Sequence, residues 1–200
     1  MEATVLFRDF EERDIDFIYK CKNDAKLNAL TVGEWHPFTY DEAREWVHGC
    51  MGEHETYKFW AICTNDEEKR IVGCCGLFKI DRIKKSACMR SMVIADPKYR
   101  IGLPWIEAQI FCFSYAFETI GVDILSDYHF ADHPSSSAFG PVWFFQVDRI
   151  EKSAVIKNGV IHDLVYSSLK REVYEKHKAN GDYELMSLIN RFAKFKKKNR

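Results

Sequence analysis

Asp96-Pro97-Lys98-Tyr99-Arg100-Ile101-Gly102-Leu103-Pro104-Trp105-Ile106-Glu107-Ala108 is the stretch whose reading decides the fold. An extended apolar run, Cys88 to Ala95, precedes it, and a long apolar helical pattern, Ile106 to Thr119, follows it. A strand, a tight polar turn and a helix bring backbone N–H groups and the positive end of a helix dipole to one point. That arrangement suits a phosphate. Pro104 falls in the first helical turn, where its missing N–H is not needed. Arg100 would set a cation beside the turn. Alone, the stretch reads either as a diphosphate cradle or as an ordinary strand-to-helix connection.

Working back from it, Ser86 to Ala95 reads as a strand reached through the turn Asp81 to Lys85. Arg70 to Ile80 and Tyr57 to Thr64 are two more strands, joined as a hairpin by the polar turn Asn65 to Lys69. Gly73 and Gly76 inside a strand predict close backbone approach or a bulge. Thr39 with Glu42 fits a capping box that opens a helix buried through Ala43, Trp46, Val47 and Cys50. Before it come a loose region from Asn23 and the aromatic loop Glu34-Trp35-His36-Pro37-Phe38. Glu11 to Asp24 has near-helical spacing, and Val5 to Phe10 is a short strand candidate.

Forward of it, Gly121 stops the helix. Val122 to Tyr128 is the next strand, parallel to its predecessor through a right-handed crossover. His129 to Ser137 is a turn or helix cap, and Gly140-Pro141 shortens any helix after it. Gln146 to Ile156 and Ile161 to Leu169 alternate as strands, with Asn158-Gly159 supplying the positive φ angles of a hairpin turn. Lys170 to His177 and Tyr183 to Phe195 are helix candidates, and Lys194 to Arg200 is a basic tail. The order predicts an α+β (α/β) domain with a mixed, mostly antiparallel central sheet flanked by helices. We expect one domain over residues 1–178, followed by a helix and basic tail over 179–200.

Composition narrows the class. The 200 residues are 46% hydrophobic and 30% charged, so a sizeable core can form. Net charge is -1, which argues against bulk electrostatic attraction to nucleic acid and leaves only local contact through Lys194–Arg200. No apolar run approaches the roughly 18 residues of a membrane span. The opening residues lack the pattern of a secretory signal. The seven cysteines sit mostly inside apolar runs, with no Cys-x-x-Cys, as reduced core cysteines do. The expectation is a reducing, cytoplasmic compartment and no structural metal.

Four segments in order resemble the GCN5-related N-acetyltransferase (GNAT) superfamily, and more narrowly its ribosomal-protein N-acetyltransferase group. His36-Pro37-Phe38-Thr39-Tyr40-Asp41-Glu42-Ala43-Arg44-Glu45-Trp46-Val47 resembles the start of the family's second helix. Arg70-Ile71-Val72-Gly73-Cys74-Cys75-Gly76-Leu77 resembles its third strand. Pro97-Lys98-Tyr99-Arg100, followed by Glu107-Ala108, resembles the ends of its acyl-CoA loop and helix. Asn158 to Leu169 resembles its closing hairpin. The likeness spans Val5 to Glu175.

The resemblance implies acetyl-CoA as cosubstrate and direct attack on it by an amine of unassigned identity. It implies cofactor contacts from Val93, Ile94, Tyr99, Arg100, Ile101, Gly102, Leu103, Pro104, Trp105 and His133. Ser136 becomes a candidate to protonate the leaving thiolate, or a helix cap. His36 or Glu34 becomes a candidate to deprotonate the amine, or a plain loop residue. Tyr166 is a site candidate on the closing strand, or a core tyrosine.

The loop departs from the family pattern. Ile101 and Leu103 align with two loop glycines, with Gly102 between them. Arg90 stands where a carboxylate base is common, and His133 stands for an asparagine. These departures carry a second expectation, a binding or assembly module that has lost the cofactor. The basic tail and the His129–His133 cluster carry a third, a relative that modifies nucleotides or nucleic-acid bases. His129, Asp132 and His133 form a polar cluster of metal-ligand types, to which we assign no metal.

Overall fold

The computed structural model describes residues 3–100, 102–134 and 138–198, with backbone only at 90, 91 and 198. Among these residues seven strands hydrogen-bond in the order β1-β2-β3-β4-β5-β7-β6. They are β1 Val5–Arg8, β2 Tyr57–Thr64, β3 Ile71–Asp81, β4 Ser86–Ile94, β5 Ile124–Phe130, β6 Gln146–Lys157 and β7 Val160–Lys170. The helices are α1 Ile15–Lys22, α2 Ala25–Asn28, α3 Tyr40–Cys50, α4 Leu103–Ser114, α5 Phe139–Trp143, α6 Arg171–Ala179 and α7 Leu185–Lys198. The sheet is mixed and mostly antiparallel, as expected, with β4 and β5 parallel. The chain packs as two compact units, 1–80 with 89–112 and 81–88 with 113–200.

In the first unit β1, β2 and β3 form an antiparallel meander. The predicted capping box opens α3. Thr39 Oγ1 accepts from the Glu42 N–H at 3.2 Å, and Glu42 Oε2 accepts from the Thr39 N–H at 2.6 Å. Those reciprocal bonds satisfy two N–H groups that the helix cannot pair internally. Ala43, Val47 and Cys50 then face a core shared with Phe10, Ile15, Ile18, Ala61 and Cys63. Both strand glycines are there for space. A Cβ on Gly73 would lie 2.4 Å from the Val93 carbonyl, and one on Gly76 would lie 2.1 Å from the Phe59 ring. Gly73 thereby lets the end of β4 close on β3, just before the turn that leads to α4.

α4 is held at two levels. Phe111 stacks on Phe7 with centroids 4.1 Å apart and meets Trp60 edge-on at 5.0 Å. Glu107 accepts from the Thr4 N–H at 3.0 Å, the Thr4 hydroxyl at 2.7 Å and the Val5 N–H at 3.1 Å, which fixes the start of β1.

In the second unit the first residues of β4 pair in parallel with β5, Ser86 to Ile124 through Cys88 to Ser126. β5 then pairs antiparallel with β7 along its whole length, and β7 pairs with the edge strand β6. The hairpin turn has Asn158 at φ 51° and Gly159 at φ 78°, the left-handed pair that Asn-Gly predicts. The core holds Phe113, Phe117, Leu125, Phe130, Trp143 and Leu169. α7 docks on α5 through Arg191, which donates to the Val142 carbonyl at 2.8 Å, and an edge contact of Phe192 with Trp143.

Three boundaries differ from expectation. The helix starts at Leu103, with Pro104 in its first turn as expected, but beyond Ser114 the predicted run to Thr119 widens to a π-helix over Tyr115–Ile120, closed by Gly121 at φ 83°. The strand predicted over Val122–Tyr128 runs Ile124–Phe130. The chain leaves the helix through Gly121 and Val122 N–H groups that both bond the Ala116 carbonyl, so pairing starts later than expected. Residues 25–28 form a short helix because Asp24 caps them, accepting from the Lys26 and Leu27 N–H groups.

Candidate active site

Each unit contributes one candidate region, and each is a turn from a strand into a helix. In the first unit, β4 ends at Ile94, and the Ala95 and Asp96 N–H groups bond the Val72 carbonyl. Asp96 organises the turn. It accepts from the Lys98 N–H at 2.9 Å and from Arg70 at 3.0 Å, and its carbonyl accepts from the Tyr99 N–H at 3.0 Å. The Lys98 N–H, then Arg70, hold its carboxyl below the usual range. Gly102 sits at φ 105°, and a Cβ added to it would meet nothing within 4 Å. Glycine is therefore needed there for backbone freedom and not for space.

α4 follows at once. Pro104 and Ile94 are buried, while Val93, Tyr99, Leu103 and Trp105 are half-buried. α4 begins at Leu103, and Pro104 in its first turn has no N–H to leave unpaired. Arg100 is exposed and folds back on the strand end, donating to the Ile94 carbonyl at 3.2 Å and the Ala95 carbonyl at 2.6 Å. Ile101 and the Arg90 side chain lie outside the described residues.

In the second unit, Asp127 and His129 are two apart on β5 and share one face of the sheet. His129 Nδ1 lies 2.7 Å from Asp127 Oδ2, with only 11% and 13% of the two side chains exposed. The imidazole stacks on Phe139 of α5, centroids 4.8 Å apart. His133 is half-buried in the following turn. Burial, then the charge of His129, hold its pKa below the usual histidine value. Asp132 turns away and meets His162 Nδ1 at 3.0 Å. His129 and Asp132 of the predicted cluster thus meet different partners, Asp127 and His162, and among the described residues no three metal-ligating side chains converge. Ser136, with Ser135 and Ser137, lies outside the described residues.

The remaining candidates lie elsewhere. His36 is on the surface, with 68% of its side chain exposed and Nε2 3.4 Å from Glu42 of the α3 capping box. Glu34 is exposed in the same loop. Tyr166 is half-buried on β7, its ring 5.8 Å from Tyr128 and under the Arg149 guanidinium at 3.9 Å. Burial, then Glu151, raise its pKa. Lys194, Lys196 and Lys197 are exposed on α7. Reading by sequence misses the Asp127–His129 pair, because it ends the strand at Tyr128 and leaves His129 in a turn. Asp-x-His inside an alternating strand is the available signal.

Residues 4–139 match the family described as the acetyltransferase (GNAT) domain, so the chain belongs to that family. The fold agrees with solved structures. Spermidine N-acetyltransferase from Vibrio cholerae, solved with CoA and spermine, is 17% identical over 86% of this chain and 98% of that one, with a TM-score of 0.75. A GNAT-family acetyltransferase from Bacillus anthracis is 17% identical over 86% and 98%, with a TM-score of 0.70. A GCN5-related N-acetyltransferase from Brucella melitensis is 15% identical over 88% and 79%, with a TM-score of 0.68. No curated protein matches the chain. Among the described residues no helix is long and apolar enough to cross a membrane.

Proposed function

We propose that the protein transfers an acetyl group from acetyl-CoA to an amine by direct attack. The family membership supports the reaction class. The observation that carries the reading is the turn into α4, where Gly102 takes a positive φ and the helix start has N–H groups to offer a diphosphate. Val93 and Ile94 would offer main-chain groups to the pantetheine arm, and Tyr99 to Trp105 would line the diphosphate. An ammonium acceptor first loses a proton to a base. Its nitrogen lone pair then attacks the thioester carbonyl, the C–N bond forms, the C–S bond breaks, and the thiolate takes up a proton. Ser136 and His133 are the candidates to serve the thiolate, and His36, Glu34 and Tyr166 the candidates on the acceptor side.

The acceptor class has two candidates. The ribosomal-protein group suggests a protein amine, and the Vibrio cholerae enzyme, named for spermidine, suggests a polyamine. Titration calorimetry with acetyl-CoA tests the reading, followed by mass detection of acetylated spermidine and of an acetylated peptide amine. Arg100→Ala is expected to weaken acetyl-CoA binding by about 1.5–3 kcal/mol, the worth of a charge-assisted hydrogen bond. Leu103→Gly is expected to strengthen it or leave it alone. A second reading, a binding module without cofactor, draws on the Arg100 guanidinium already bonded to the Ile94 and Ala95 carbonyls. No heat with millimolar acetyl-CoA would favour that module.

A further inference from the structure

β6 is an edge of the sheet, with β7 on one side and no strand on the other among the described residues. An open edge offers N–H and C=O groups to another chain, and folds commonly blunt it with bulges and charges. Both devices are present here. The register with β7 shifts between Val147 and Arg149, and again between Glu151 and Val155. At the first shift Asp148 accepts from Ser168 Oγ at 2.9 Å. At the second, Ser153 takes φ 52°, and Asp163 accepts from the Ser153 N–H at 2.9 Å and from Lys152 at 2.8 Å. Between the two bulges Arg149, Ile150 and Glu151 keep a regular ladder, opposite Tyr166, Val165 and Leu164.

Those three residues divide by face. Arg149 and Glu151 lie on the Tyr166 side of the sheet. The Arg149 guanidinium is held 3.9 Å from the Tyr166 ring centroid and 3.6 Å from Glu151, and 63% and 48% of the two charged side chains remain exposed. Ile150 lies on the other side, with Val165. Val147 stands opposite Ser167 and Ile156 opposite Ile161, and positions 161, 165 and 167 share one face of β7. Val147, Ile150, Ile156 and Ile161 therefore line one face of the hairpin, each more than half exposed. An apolar stripe of this kind along an open edge suits association with another chain.

We propose that β6 pairs antiparallel with β6 of a second copy of this chain, about a two-fold axis through Ile150. Such an axis, normal to the sheet, keeps each face on its own side and makes the contacts reciprocal. Centred on Ile150, it sets Arg149 opposite Glu151 of the second copy and Glu151 opposite Arg149 of the second copy, on the Tyr166 side. The two Ile150 side chains meet on the other side. Opposite charges directly across a strand pair stabilise it, and like charges destabilise it. Centring on Asp148, Arg149, Glu151 or Lys152 would instead set a charge against its own copy. Charge complementarity thus selects both the occupant and the register. The flanking bulges confine the ladder to this centre, and a two-fold contact uses up the edge, so pairing closes at two copies. The surface lies wholly within the second unit and stands apart from the acetyl-transfer reading.

Sedimentation velocity on the full chain tests the pairing. The wild type should pass from monomer to dimer as its concentration rises to about 200 μM, the range in which a small interface is populated. Arg149→Glu sets two like-charged pairs beside the axis, and so does Glu151→Arg. Each should weaken dimerisation by about 100-fold. An equimolar mixture of these two variants should recover a dimer, because every charge beside the axis then meets its opposite. Ile150→Asp, at a half-exposed position, should weaken dimerisation as strongly and leave the melting profile unchanged.

A wild type that stays monomeric across this range overturns the proposal, as does a dimer that Arg149→Glu and Ile150→Asp leave intact. Two monomeric charge variants whose mixture also stays monomeric overturn the register, and the proposal with it. If either charge variant fails to fold, Ile150→Asp decides, and an unchanged dimer overturns the pairing. Capture of an extended peptide by the β6 edge of a chain that does not dimerise would make this a peptide-binding edge and overturn the proposal as well.

Discussion

After β4 the chain reaches its helix through a turn built from backbone groups, whereas after β5 it does so through a turn built from side chains. At the first, Asp96 accepts from the Lys98 N–H as well as from Arg70, Arg100 donates to main-chain carbonyls, Gly102 supplies a left-handed residue, and a helix of 12 residues follows. At the second, β5 delivers Asp127 and His129, the turn adds His133, and the helix is only 5 residues long, with Gly140 and Pro141 inside it. Phe144 closes that helix in a left-handed conformation, at φ 65°. A long helix with exposed N–H groups can hold an anion without any particular side chain. So short a helix cannot, and whatever chemistry its turn performs must come from side chains. The first turn is thereby arranged as an anion site would be, whereas the second is held by paired side chains.

The first turn depends on close approach of β3 and β4, so the largest effect should come from filling that approach. Gly73→Ala would push a methyl group to 2.4 Å from the Val93 carbonyl, a backbone atom that cannot rotate away. A loss of about 3 kcal/mol is expected, the upper end for overpacking, read as a lower urea midpoint. A near-native midpoint would show that the β4 end can shift, and that the turn does not need this anchor. Next comes Glu107→Ala, which removes the acceptor for the Thr4 N–H, the Thr4 hydroxyl and the Val5 N–H. About 1.5–3 kcal/mol should be lost, with hydrogen exchange rising first at β1. Exchange that rises at α4 instead would mean that Glu107 steadies the helix more than the strand.

Smaller again is Gly102→Ala. The site is open, so only the positive φ resists the change, at about 1–2 kcal/mol. If the backbone turn is the acyl-CoA determinant, this variant should lose more acetyl-CoA affinity than stability. Equal losses would reduce Gly102 to a plain turn residue.

The same contrast explains what the sequence lets a reader see. Local chemistry is legible where a residue type has one use: Thr39 and Glu42 as a capping box, Asn158-Gly159 as a hairpin turn, Gly73 and Gly76 as sites of close approach. The first turn is legible for the same reason, since a strand, a polar turn, a glycine and a helix start are all local. The π-helical turn at Tyr115–Ile120 is not, because its apolar spacing also fits an α-helix and only the packed ends choose between them. The second turn hides its buried pair. Asp, Tyr and His in succession look like the edge of a loop, and only pairing of β5 with β7 through Phe130 shows that Asp127 and His129 sit on a strand and face one way. Ser167 is one polar residue among several near the end of a strand, and it carries no signal of its own until register places it opposite Asp127.

The smallest effect is also the one that separates the turns most cleanly, because it depends on pH. His133 has its folded pKa lowered below 6.5 by burial and by His129, so the unfolded chain takes up its proton first as pH falls. The contribution of His133 is therefore fully present above 6.5, declines as pH falls from 6.5 to the folded value, and is constant below that. Asp96 in the first turn behaves differently. Its carboxyl is held below 3.8 by the Lys98 N–H and Arg70, so its stabilisation is present above 3.8 and is lost as pH falls through the folded value. Thermal melts of the wild type, His133→Gln and Asp96→Asn across pH should then differ in separate windows. The glutamine variant should flatten the curve just below 6.5, and the asparagine variant should flatten it only below 3.8. A His133→Gln curve parallel to wild type through the upper window would mean that His133 reaches solvent freely, and the buried polar character assigned to the second turn would rest on Asp127, His129 and Ser167 alone.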